Sequence, residues 1–198
     1  TSNFAEKRIK ISKELNTMIL SGIEKAYMEE YEDALEIFKR IIMKDKESPV
    51  GYFFTAAFYE MLMHSFRTRF FENQFYFYIN EAITRGEELL KEYKDDEWLH
   101  FYVGGSYGYR AIDRTETGNW FWAFSDAVKG AEYLERAIEI NPKIHDAYFG
   151  FGVYKYWRSV KSRVLWFLPI FEDERKSDIK DIERAISKGK YSKYEAMG

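Results

Sequence analysis

The chain has 198 residues, 46% hydrophobic and 32% charged, a balance that suits one folded body and excludes a disordered chain. A formal net charge of −3 lacks the basic footprint that phosphate backbones require, which argues against nucleic acid as a partner. The absence of cysteine removes disulfides, thiolate nucleophiles and Cys-ligated zinc.

Taken in chain order, the first helical periodicity is YEDALEIFKRIIMKD, Tyr31 to Asp45, where apolar residues recur at helical spacing with charges between them. Pro49 then opens a second unit, and FRTRFFENQFYFY, Phe66 to Tyr78, packs aromatics between two arginines and a run of polar residues. A third unit begins near Glu97. It contains FYVGGSYGYR, Phe101 to Arg110, then RTETGNWFWAFS, Arg114 to Ser125, and closes with AVKGAEYLERAIEINP, Ala127 to Pro142. A fourth contains SRVLWFLPIFED, Ser162 to Asp173, and YSKYEAM, Tyr191 to Met197, has the look of one more helix start. The apolar run VLWFLPIF, Val164 to Phe171, is far short of the roughly 20 residues that span a bilayer, so no transmembrane helix is expected. The chain starts at Thr1 without methionine. That leaves a removed leader, with a periplasmic or membrane-anchored location, open beside a cytoplasmic one. No period-2 alternation bounded by hairpin turns occurs, and the expected class is all-α.

Sliding the sequence along itself by 48 residues brings Phe53, Phe101 and Phe149 into register, then Ala56, Gly104 and Gly152, then Glu87, Glu135 and Glu183. Glu135-Arg136-Ala137-Ile138 repeats as Glu183-Arg184-Ala185-Ile186. One domain over residues 1–198 is expected, with units near 15–48, 49–96, 97–144 and 145–192, each a pair of helices.

His100, Val103, Gly104 and Tyr107, then Tyr148, Phe151 and Gly152, and on second helices Gly130, Leu134, Ala137 and Pro142, give the chain its closest resemblance. It resembles the tetratricopeptide repeat (TPR) family, whose signature sets an aromatic, Leu-Gly and Tyr on helix A and Ala, Phe and Pro on helix B. The first unit keeps Gly22, Tyr31, Ala34 and Phe38. Lys155 stands where Tyr belongs, and each unit is 14 residues longer than the family's 34. The resemblance implies a right-handed α-solenoid of antiparallel helix pairs. The extra residues fall between the two halves of the motif and would lengthen each helix by about 7 residues, or ~10 Å. Their aromatics are expected to pack on one another.

In the family, helix A lines an inner groove. Carried onto this chain, one groove row is Phe53, Phe101, Phe149 and another is Met61, Tyr109, Trp157. Both are apolar and lack the Lys and Asn of the family's carboxylate-clamp members. An aromatic groove suits a protein or peptide partner, or a small hydrophobic ligand. Whether the groove is open or filled by the tall extensions stays undecided at this point. Arg110 and Arg158 share one repeat position among aromatics, which fits either an anionic ligand or inter-helix pairing with an acid such as Glu60, Glu72 or Glu116.

Gly104-Gly105-Ser106 lacks the spacing and the strand that a phosphate loop needs, so these glycines read as a site of close helix approach. His64, His100 and His145 are too scattered for a zinc set, G-x-S-x-G is absent, and the acidic runs suit helix starts. No cofactor, metal or catalytic set is expected. The functional reading is a non-enzymatic interaction scaffold; the alternative is an extracytoplasmic protein that binds a hydrophobic or aromatic ligand for a solute uptake system.

Overall fold

A computed structural model describes residues 11–162 and 188–191, with side chains through 155 and again at 188–191. The second helix of the fourth unit, the Ser162–Asp173 extension, the repeated Glu183–Ile186 and most of the terminal Tyr191–Met197 segment lie outside the described residues, as do the side chains of Trp157 and Arg158. Seven helices and no strand occur among the described residues: α1 (Lys13–Tyr27), α2 (Tyr31–Lys44), α3 (Pro49–Ser65), α4 (Glu72–Leu90), α5 (Glu97–Glu116), α6 (Trp120–Ile140) and α7 (His145–Ser162).

Local chemistry accounts for the helix starts. Ser12 Oγ accepts the Leu15 N–H at 3.0 Å, Ser48 Oγ accepts the Val50 N–H at 3.3 Å with Pro49 behind it, and Asp96 Oδ1 accepts the N–H groups of Trp98 and Leu99 at 3.0 and 2.9 Å. Each cap satisfies donors that the first helical turn cannot pair internally. The helices α3, α5 and α7 therefore begin at Pro49, Glu97 and His145, one repeat apart. On α2, the buried residues Ala34, Ile37, Phe38 and Ile41 form one stripe at helical spacing, facing α1 and α3.

α1 packs on α2, α3 on α4 and α5 on α6, and each pair then packs on the next. The first helices of neighbouring pairs also touch, α3 with α5 and α5 with α7, which makes the assembly a solenoid with the first helices on its inner side. The added length goes mostly into the third pair, where α5 and α6 have 20 and 21 residues against 15 and 14 in α1 and α2. In the second pair, α3 and α4 have 17 and 19, and part of the addition forms the turn at 66–71.

The expected mutual packing of the extension aromatics is corrected by the structure. Phe75 is fully buried, but Phe70, Phe121 and Phe124 are 77%, 75% and 70% exposed, and Trp120, Trp122, Phe66 and Phe77 are exposed as well. Residues 120, 121, 122 and 124 point in successive directions round the first turn of α6, so one neighbouring helix cannot cover them all; only Ala123 in that turn is buried.

The glycines are placed as close approach requires. A methyl on Gly104 would lie 2.9 Å from the carbonyl oxygen of Gly130, and one on Gly130 would lie 2.9 Å from that of Gly104. Backbone meets backbone there, and backbone cannot swing aside. One turn later, a methyl on Gly108 would meet nothing within 4 Å. Opposite signs are expected from the same substitution. Gly104→Ala should cost about 1–3 kcal/mol in overpacking, more than offsetting the helix preference of alanine. Gly108→Ala should gain up to about 1 kcal/mol. Urea midpoints measure both, and a loss at Gly108 equal to that at Gly104 would refute the account.

Candidate functional site

Phe53 and Phe101 are 5% and 6% exposed, and their rings meet edge-on at 5.7 Å. Gly105 makes this contact possible, since a methyl at that position would sit 2.9 Å from the Phe53 ring. Phe53 also touches Phe54 at 5.1 Å, Tyr102 at 5.4 Å and Tyr109 at 5.8 Å between ring centroids. Within this row the solenoid's inner side is thus filled by its own aromatics, and Phe149, on α7, is half-buried. In the second row, Met61 and Tyr109 are half-buried and pack against the same core.

Arg110 meets an acid at once. Its Nε and Nη2 donate to the two oxygens of Asp126 at 2.8 and 2.9 Å, its Nη1 donates to Asn80 Oδ1 at 2.6 Å, and its guanidinium lies 5.0 Å from the centre of the Tyr107 ring. Arg114 donates to the same Asp126. Nearby, Asp113 accepts from Arg69 and, at 2.8 Å, from the Tyr76 hydroxyl, while Arg69 also reaches Glu72. Asp113 and Asp126 are 2% and 3% exposed. The planar guanidinium fork matches a carboxylate edge, and the pairing holds α4, α5 and α6 together at the tall end. Burial is the first cause that pushes the Tyr76 hydroxyl up to about 12, with Asp113 adding to it.

Neither aspartate stands out in the sequence. The acids expected beside the arginines were Glu60, Glu72 and Glu116, of which Glu72 serves Arg69. The available signal was Asp126 itself, a lone acid in the otherwise uncharged run from Trp120 to Val128.

The structure also brings Tyr191 to the inner side. It is 4% exposed, lies 5.2 and 5.6 Å from the Phe54 and Trp98 rings, and donates its hydroxyl to Asn16 Oδ1 at 2.8 Å. Tyr191 was read in the sequence only as a helix start.

Two cavities of about 350 and 330 Å³ lie elsewhere. Glu87, His100, Lys129 and Arg136 help to line the first, and His64, Arg67, Arg69 and Glu116 the second; none of the candidate groove aromatics lines either. Among the described residues, no group of three His, Asp or Glu is placed to hold a metal ion. No described helix is long and apolar enough to cross a membrane.

No protein-family model matches the chain, and no curated protein matches it in sequence. A solved structure does match: a thermophilic TPR protein from Thermus thermophilus aligns with a TM-score of 0.50 at 14% identity, over 92% of this chain and 82% of that one. The chain has a TPR-like fold. Within it, the TPR-like first helices α3, α5 and α7 carry the candidate rows, and the second helices α4 and α6 supply the partners of Arg110.

Proposed function

We propose that this protein is a non-enzymatic scaffold that holds a protein partner along the face of its first helices. The observation that carries the reading is the TPR-like solenoid whose inner side keeps Met61 and Tyr109 of one row and Phe149 of the other half-buried beside the packed Phe53 and Phe101. Half-exposed apolar side chains on a rigid floor lose little freedom when a partner covers them. A function resting on a binding surface also fits the tying of Asp113 and Asp126 to arginines, which commits these two buried acids of the tall pair to structure. The alternative, a site for a small hydrophobic ligand, finds less support in the two cavities described above, both of which are bordered by charged groups.

Crosslinking tests the scaffold. A photoreactive phenylalanine analogue at position 109 should capture a discrete protein partner from the source cell, and the same group in place of Lys129, on the second helix α6, should not. Met61→Ala should weaken that capture about tenfold or more, as truncation of a central contact does. Identical products from positions 109 and 129 would sink the groove.

A further inference from the structure

Tyr191 sits where the N-terminal parts of four helices converge. Asn16 on α1 takes its hydroxyl, Phe54 on α3 and Trp98 on α5 box its ring, and Asp146 on α7 takes its backbone. The Asp146 carboxylate, 3% exposed, accepts two successive backbone N–H groups, that of Lys190 at Oδ2 (2.9 Å) and that of Tyr191 at Oδ1 (2.6 Å). The Lys190 ammonium lies 5.5 Å from the Trp98 ring centre and 4.9 Å from that of Tyr191.

Two properties of this seat separate it from ordinary core. First, the groups that hold the segment read a bent backbone whose two successive N–H groups reach one carboxylate, a tyrosine hydroxyl and a preceding cation, all features that another chain carrying Lys-Tyr in a bend can present. Second, the segment does not complete the site. Tyr102, 1% exposed on α5, points its hydroxyl into the same place and makes no hydrogen bond of normal geometry, with Tyr191 as its polar neighbour. A hydroxyl at that depth held only by an imperfect contact with Tyr191 is a defect that a better-fitting occupant removes.

We propose that the N-terminal parts of α1, α3, α5 and α7 form a tyrosine-recognition socket, occupied in cis by Lys190 and Tyr191, and that a tyrosine-bearing segment of a protein partner, bent in the same way, competes for the same seat. This rests on the scaffold reading above and names the chemistry of its partner. The cis segment acts as a tethered competitor, so the socket opens to partners only as far as Tyr191 leaves it.

Calorimetric titration with an end-blocked peptide of residues 187–193, Ser-Lys-Gly-Lys-Tyr-Ser-Lys, tests the proposal. The Tyr191→Ala chain should bind it one to one, and the unmodified chain should bind it about tenfold more weakly or less, because the tethered copy must first depart. Asp146→Asn in the Tyr191→Ala background should lower affinity about tenfold, through loss of a charged acceptor for two N–H groups. A peptide with phenylalanine for tyrosine should bind about fivefold more weakly, the worth of one hydrogen bond. A folded Tyr191→Ala chain that ignores the peptide, or equal affinity for both chains, overturns the socket. Should circular dichroism show Tyr191→Ala unfolded, Tyr191→Phe replaces it; that change removes the Asn16 hydrogen bond and the hydroxyl facing Tyr102, so peptide affinity must rise about fivefold over the unmodified chain, and an unchanged result overturns the proposal. Met61 and Tyr109 make none of the contacts described for Tyr191, so the crosslinking result can stand while the socket fails, and the reverse.

Discussion

Asp126→Asn is expected to lower stability by about 3–5 kcal/mol, the cost of breaking a buried ion pair by removing one partner. The acid serves two cations at once, and the side chains of Arg110 and Arg114 are only 14% and 20% exposed. Without the carboxylate, both guanidiniums remain in a poorly solvated place, held apart from water and repelling each other. At roughly 2–4 °C per kcal/mol for a chain of this size, the melting temperature should fall by about 10 °C or more. Arg110→Met should cost less, because Arg114 still neutralises Asp126 and the methionine stem covers the Tyr107 ring. Thermal melts by circular dichroism measure both variants. A larger loss for Arg110→Met than for Asp126→Asn would mean that Asp126 tolerates isolation and that the pair is held for the sake of the arginine.

The sequence carries the solenoid openly and its cross-links hardly at all. Phe53 and Phe101 fall one period apart and do lie ring against ring, because a repeat that sets each first helix against the next must bring equivalent positions together. Gly104 was legible for a related reason, since a small residue inside a helical pattern has few uses other than letting a neighbour approach. The pairing of Arg69 with Asp113 spans 44 residues and that of Tyr191 with Asn16 spans 175. No periodicity connects such positions, since each pair is made by side chains at unlike repeat positions whose meeting depends on how sharply the solenoid curves. Whether an aromatic row lines an open channel or joins the core depends on how closely successive first helices approach, and here Gly105 lets Phe53 and Phe101 meet as core. The exposed aromatics at the start of α6 were misread because composition records how much apolar surface a segment has and not which directions its neighbours cover.

Glu60 should make this protein less stable as pH rises through neutrality. It is half-buried on α3, and its carboxyl is pushed up to about 7, first by burial, with Glu116 and Asp113 adding to the shift and His64 opposing it. The unfolded chain releases this proton near the ordinary value of 4.5, whereas the folded chain keeps it to about 7. Between those limits the folded state binds more protons than the unfolded state, so stability declines with rising pH, by at most about 1.4 kcal/mol per pH unit and by roughly 3 kcal/mol across the window. Below the window both states are protonated and the penalty is absent; above it both are ionised and the full penalty persists. Glu60→Gln keeps the shape and removes the ionisation, so its stability relative to the unmodified chain should climb between pH 5 and pH 8 and then level off. Urea midpoints of the two chains at one-unit intervals give this difference directly, and other titrating groups, common to both chains, largely cancel. A difference that stays flat across the range would show that Glu60 ionises in the folded protein as readily as in the unfolded one, so that burial on α3 does not hold its proton.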